Sequence, residues 1–155
     1  MTYFLQDLKK IVLVDENKER LEQTLFFMPQ YSELEIQETE KEIVNFNGEF
    51  YFADDKEYIS KKEALENERI ANLSLTKREV FLAIYQDKGI IPEQIRGKIS
   101  DSAALIEFDY AEKYYRGNPL IDILGQELGY TKENLDYLFE NKKFPAESVG
   151  DLSVV

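Results

Sequence analysis

"EIVNFNGEFYFA", residues 42 to 53, decides the fold class. Asn47-Gly48 separates two runs of β-branched and aromatic residues. A two-residue type I′ turn needs positive φ at both central positions, which Asn and Gly tolerate best. The stretch therefore predicts a β-hairpin. Pairing across the turn puts Ile43, Asn45, Phe50 and Phe52 on one face, and Val44, Phe46, Glu49 and Tyr51 on the other. Both faces carry aromatic rings. Two readings follow for the second face: it is partly covered by neighbouring elements, or Phe46 and Tyr51 lead a contact surface.

Upstream, "KKIVLV" at 9 to 14 is a compact β-branched run ending at Asp15 and Asn17, which reads as a strand leaving a turn. "KERLEQTLFFM" then sets Leu21, Leu25 and Met28 at helical spacing until Pro29 stops it. Downstream of Lys56 the pattern is helical. "KEYISKKEALENERIANL" is thinly apolar and reads as a connecting helix. Thr76 and Glu79 stand at capping-box spacing ahead of Val80, Phe81, Ile84 and Tyr85, with Gly89 as terminator. Pro92 suits the first turn of a short helix through Ile99. "AALIEFDYAEKYYRG" repeats Leu105, Phe108, Ala111 and Tyr115 at three and four residues, predicting one helix closed by Gly117. Asn118-Pro119 and Thr131 open two further helices on either side of Gly129.

The expected fold is α+β. A small lobe at 1–55 holds the hairpin, its sheet and one or two helices. A connecting helix follows at 56–73, then a helical lobe of about five short helices at 74–145 and a loose tail at 146–155.

Composition narrows the chemistry. With no Cys there are no disulfides, thiolate nucleophiles or Cys-based zinc sites. With no His the commonest general base and transition-metal ligand is missing. No glycine-rich phosphate loop or catalytic signature is present. A non-catalytic protein is expected, with no cofactor and no metal; an enzyme would have to rely on carboxylates, Lys or Tyr. The longest apolar runs, "IVLV" at 11 to 14 and "LFFM" at 25 to 28, fall far short of a membrane span, and no secretory leader is evident. A cytoplasmic protein without a membrane partner is the expectation.

The net charge is −12. Residues 1–73 hold 17 acids against 9 bases and residues 74–155 hold 14 against 10, so the halves carry −8 and −4. Such a chain repels phosphates, so direct nucleic-acid binding is not expected and a protein with a basic surface is the favoured partner. The acids concentrate in two strings: Glu33, Glu35, Glu38, Glu40 and Glu42, then Asp54, Asp55 and Glu57. They read as a solvated edge, or as a phosphate-like surface for a basic groove. They lack the ligand order and glycine of an EF-hand. Tyr114 and Arg116 belong to residue types favoured at interface hot spots and join the partner-binding set with Phe46 and Tyr51.

"RGNPLIDILGQELGYTKENLDYLFENKK", residues 116 to 143, has the outline of a DNA-reading helix-turn-helix, with Gly125, Gly129 and Leu135 in its steric places. Its exposed chemistry does not fit. Residues 119–143 count five acids against three bases, and only Asn134 suits base recognition. Packing is the better reading.

Two stretches, "LTKREVFLAIYQDKGI" at 75 to 90 and "NPLIDILGQELGYTKENLDYLF" at 118 to 139, resemble segments of small acidic proteins encoded in bacterial prophages. Such proteins often lie near tail-fibre genes, and some act as accessory or anti-defence factors. The resemblance implies a phage-type accessory protein working by protein binding, and it carries over no catalytic residue. Its most specific form is an anti-CRISPR-like inhibitor of a host nucleic-acid-guided defence nuclease, with the acidic surface against a basic cleft. A tail-assembly or tail-associated role is the alternative. A DNA-binding helix-turn-helix protein comes last, disfavoured by charge.

Overall fold

A computed structural model of the chain describes residues 1–146. The fold is α+β, and the chain divides into two units, Met1–Ala64 and Leu65–Val155.

The first unit is built on a five-stranded antiparallel sheet. Its strands are β1 (Thr2–Asp7), β2 (Lys10–Asp15), β3 (Ile36–Thr39), β4 (Ile43–Phe46) and β5 (Glu49–Phe52), in the order β3-β1-β2-β5-β4. The β4–β5 hairpin pairs Val44 with Tyr51 and Asn45 with Phe50, as the two-residue turn requires. Asn47 and Gly48 have φ of 52° and 85°, the left-handed pair of a type I′ turn. A second tight turn at Leu8-Lys9 joins β1 to β2, and there Leu8 takes a positive φ of 55°. Helix α1 (Lys18–Phe26) starts at Asn17, whose side chain accepts from the Arg20 amide at 3.1 Å. The buried centre of this unit is Phe4, Leu5, Ile11 and Leu21, with Phe52 set edge-on against Phe4 at 5.4 Å.

Helix α2 (Lys56–Ala71) begins in the first unit and ends in the second. Asp55 caps its start, accepting from the amides of Glu57 and Tyr58.

The second unit contains α3 (Lys77–Lys88), α4 (Pro92–Arg96), α5 (Ser102–Tyr110), α6 (Pro119–Leu128) and α7 (Lys132–Asn141). Five short helices are thus present among the described residues, and Gly89 and Gly129 end α3 and α6 in the left-handed conformation. The Thr76–Glu79 capping box forms in both directions. The single helix expected through residues 102–116 is corrected. Helix α5 stops at Tyr110, and Lys113–Tyr115 form a strand, β7, paired antiparallel with β6 (Ser74–Thr76). The pairing sets Tyr114 beside Leu75 and buries it completely, so Tyr115, expected inward by helical spacing, stays 45% exposed. Just ahead of the expected loose tail, Phe144 is buried and stacks on Tyr130 at 3.9 Å. From residue 147 that tail lies outside the described residues.

Candidate functional site

The acidic strings divide by what their carboxylates touch. Glu38 lies on the edge strand β3, opposite Tyr3 of β1, and Glu33, Glu35 and Glu40 flank that strand. All four are exposed, and among the described residues none takes part in an ion pair. The other acids are engaged within the first unit. Asp54 holds Lys41 at 2.7 Å, Glu57 holds Lys61 at 2.8 Å, and Asp55 is the helix cap. Of the two acidic strings, the one along the β3 edge is therefore the one whose carboxylates are free of ion pairs among the described residues.

Phe46 and Tyr51 are half-buried because Tyr58 of α2 lies against both, edge-on to Phe46 at 5.6 Å and stacked on Tyr51 at 6.0 Å. The Tyr51 hydroxyl donates to Glu49 and accepts from Lys61 Nζ at 2.6 Å. With Lys10 also 3.1 Å away, these bonds hold the Glu49 carboxyl down to about 2, the Tyr51 hydroxyl contributing most. Partial cover by neighbours is thus the state of this face.

Tyr114 and Arg116 are corrected as surface anchors. Tyr114 is fully buried, and its hydroxyl donates to the Phe108 carbonyl at 3.1 Å. Burial pushes that phenol up to about 12. Arg116 is 4% exposed. Its Nε donates to Asp136 Oδ1 at 2.6 Å and its Nη1 to Asp122 Oδ1 at 2.9 Å, which ties the turn after β7 to α7 and α6.

The α6–α7 pair has helix-turn-helix spacing, and its residues serve packing and capping. A Cβ on Gly125 would meet Leu135 Cδ1 at 2.7 Å, so a larger residue there must displace that methyl. Asn134, the one side chain suited to reading bases, accepts from the Thr131 amide at 3.1 Å while its own amide donates to the Thr131 hydroxyl. Asp136 is bonded to Arg116, and Glu140 to Arg69.

Beside this helix pair lies a cleft of about 500 Å³ within the second unit. Ile70, Ala71 and Leu135 form apolar walls, and Arg116, Asp122 and Asp136 present the charged edge. Asn67, Gln126 and Lys132 also line it. The size falls in the range of small-ligand sites, as does a largely apolar lining with a few convergent polar groups. Sequence reading missed this cleft because Asp122 and Asp136 entered only as units of charge. Their convergence on Arg116 depends on contacts between three elements.

Among the described residues no group of three or more acids is gathered as a metal site would be, and no helix is long and apolar enough to cross a membrane. No family model matches the chain, and neither a curated protein nor a solved structure matches it.

Proposed function

We propose that the protein works without catalysis, by binding a protein partner with a basic surface through the β3 edge of its first unit. The observation that carries this reading is the contrast among the acids. Glu33, Glu35, Glu38 and Glu40 are exposed and unpaired among the described residues, while Asp54 and Glu57 are engaged by lysines. Unpaired carboxylates on a chain of net charge −12 attract cations at long range and speed encounter with a basic surface. The most specific form is an inhibitor of a host nucleic-acid-guided defence nuclease in the cytoplasm, in keeping with the prophage-like stretches. The test measures guided DNA cleavage and complex formation with the wild type and with Glu33→Gln/Glu35→Gln/Glu38→Gln/Glu40→Gln. Inhibition that weakens in the quadruple variant and with rising salt supports the reading. Affinity that ignores both contradicts it.

A tail-associated role is the second reading, favoured by exposed apolar groups in the same unit. Phe26 and Phe27, edge-to-face at the end of α1, are 82% and 80% exposed. Side chains of that size left in water suit a lasting protein contact. Copurification with virion tail components would favour it over the first reading.

A further inference from the structure

We infer that the cleft of the second unit is a binding site for a neutral planar small molecule carrying a carbonyl beside an N–H, the lactam edge of a pyrimidine- or purine-type heterocycle. The inference is independent of the acidic β3 edge.

Arg116 carries it. The side chain is 5% exposed, and two of its nitrogens are bonded, Nε to Asp136 and Nη1 to Asp122. Among the described residues no protein acceptor meets Nη2, yet no buried side-chain nitrogen or oxygen there lacks a partner. Nη2 therefore reaches solvent, and Arg116 lines the cleft. Each aspartate gives one oxygen, Oδ1, to the guanidinium, and the other has no bonded partner among the described residues. The cleft edge thus offers an N–H donor next to carboxylate acceptors.

Charge selects the ligand. Arg116 and Lys132 are balanced by Asp122 and Asp136, so the lining is neutral overall. An anion drawn to Arg116 would meet two carboxylates, and a cation drawn to the aspartates would meet the guanidinium and Lys132. A neutral group that accepts from Nη2 and donates to Asp122, the more exposed of the two aspartates, satisfies both at once. The lactam CO–NH pair does this in one plane. Ile70, Ala71 and Leu135 supply apolar surface for the faces of a ring, and the volume of about 500 Å³ admits a heterocycle with a sugar attached.

The experiment titrates the full chain, followed by amide NMR shifts, with uridine and guanosine. The same titration is run with 3-methyluridine, which lacks the pyrimidine N–H, and with benzoate. Saturable shifts at Ala71, Gln126 and Leu135 with either nucleoside, weakened about tenfold by N-methylation, are expected, because a donor removed from a polar edge leaves its acceptor unpaired. Asp122→Asn, at a side chain 57% exposed, should weaken binding about tenfold while the spectrum stays that of the folded protein. Equal or tighter binding of benzoate overturns the inference. So does no saturation by either nucleoside at about 10 mM, or unchanged affinity in Asp122→Asn.

Discussion

Gly125 of α6 and Leu135 of α7 approach so closely that a methyl group at position 125 would lie 2.7 Å from Leu135 Cδ1. This contact explains why a helix otherwise rich in good formers contains glycine at its buried centre. Gly125→Ala gains roughly 1 kcal/mol of helix propensity and meets an overpacking cost of about 1–3 kcal/mol, so a net loss is expected. The two residues are coupled. Introduced into Leu135→Ala, where the obstructing methyl is gone, the same Gly125→Ala change should stabilise instead. A double-mutant cycle by denaturant unfolding measures this, and a coupling energy near zero would contradict the contact.

Leu8 is the converse case, a side chain where its backbone favours none. It is 95% exposed with φ of 55°, a region that costs an ordinary L-residue roughly 1–2 kcal/mol. Leu8→Gly should therefore raise stability by about 0.5–1 kcal/mol, glycine's greater unfolded-state entropy offsetting part of the relief. Gly48→Ala in the other two-residue turn should lower it, since its φ of 85° lies in the same half of the map. Opposite shifts of the denaturation midpoint for the two variants are the expected result.

How legible these features were depends on the range of the interaction that sets them. Asn47-Gly48, the Thr76–Glu79 box and the terminators Gly89 and Gly129 are local devices, and each occurs where its residues predict. The β6–β7 pair was not legible. It is three residues a side, and it joins Leu75 to Tyr114 across α3, α4 and α5, so no local period announces it. The run Leu105, Phe108, Ala111, Tyr115 keeps helical spacing by coincidence: the chain turns extended at Ala111, which reverses which tyrosine points inward. β1 escaped for a related reason, since the buried pair Phe4 and Leu5 breaks simple alternation beside an irregularity in its pairing with β2. The exposed acids of the β3 edge could be read from the sequence, whereas the cleft around Arg116 could not, because its partners come from separate helices.

Arg116 should matter more to stability than either aspartate it holds. Arg116→Ala leaves Asp136, 21% exposed, without its bonded cation, and breaking such a largely buried pair costs about 3 kcal/mol. Asp122 is 57% exposed and water replaces the guanidinium readily, so Asp122→Asn should cost less than about 1 kcal/mol. Urea midpoints rank the two. Equal losses would mean that the pair with Asp136 adds nothing beyond the exposed pair with Asp122.

Acid sensitivity should trace in part to Glu79. Lys142, bonded at 2.9 Å, is the main cause holding its carboxyl down to about 2, and the Thr76 amide and hydroxyl add to it. In the unfolded chain a glutamate titrates at about 4.3. A pKa lowered by folding means that the unfolded state binds the proton more readily. The stabilisation is therefore complete above the unfolded value and is lost as pH falls from there towards about 2. Glu79→Gln can still accept from Thr76 and keep the cap, but it cannot titrate or pair with Lys142. The variant should melt below the wild type at pH 7, the gap should close between pH values of about 4.5 and 2, and the two should converge at the acid end. Thermal unfolding across that range checks it. A gap that stays constant with pH would assign the loss to the cap geometry rather than to the charge.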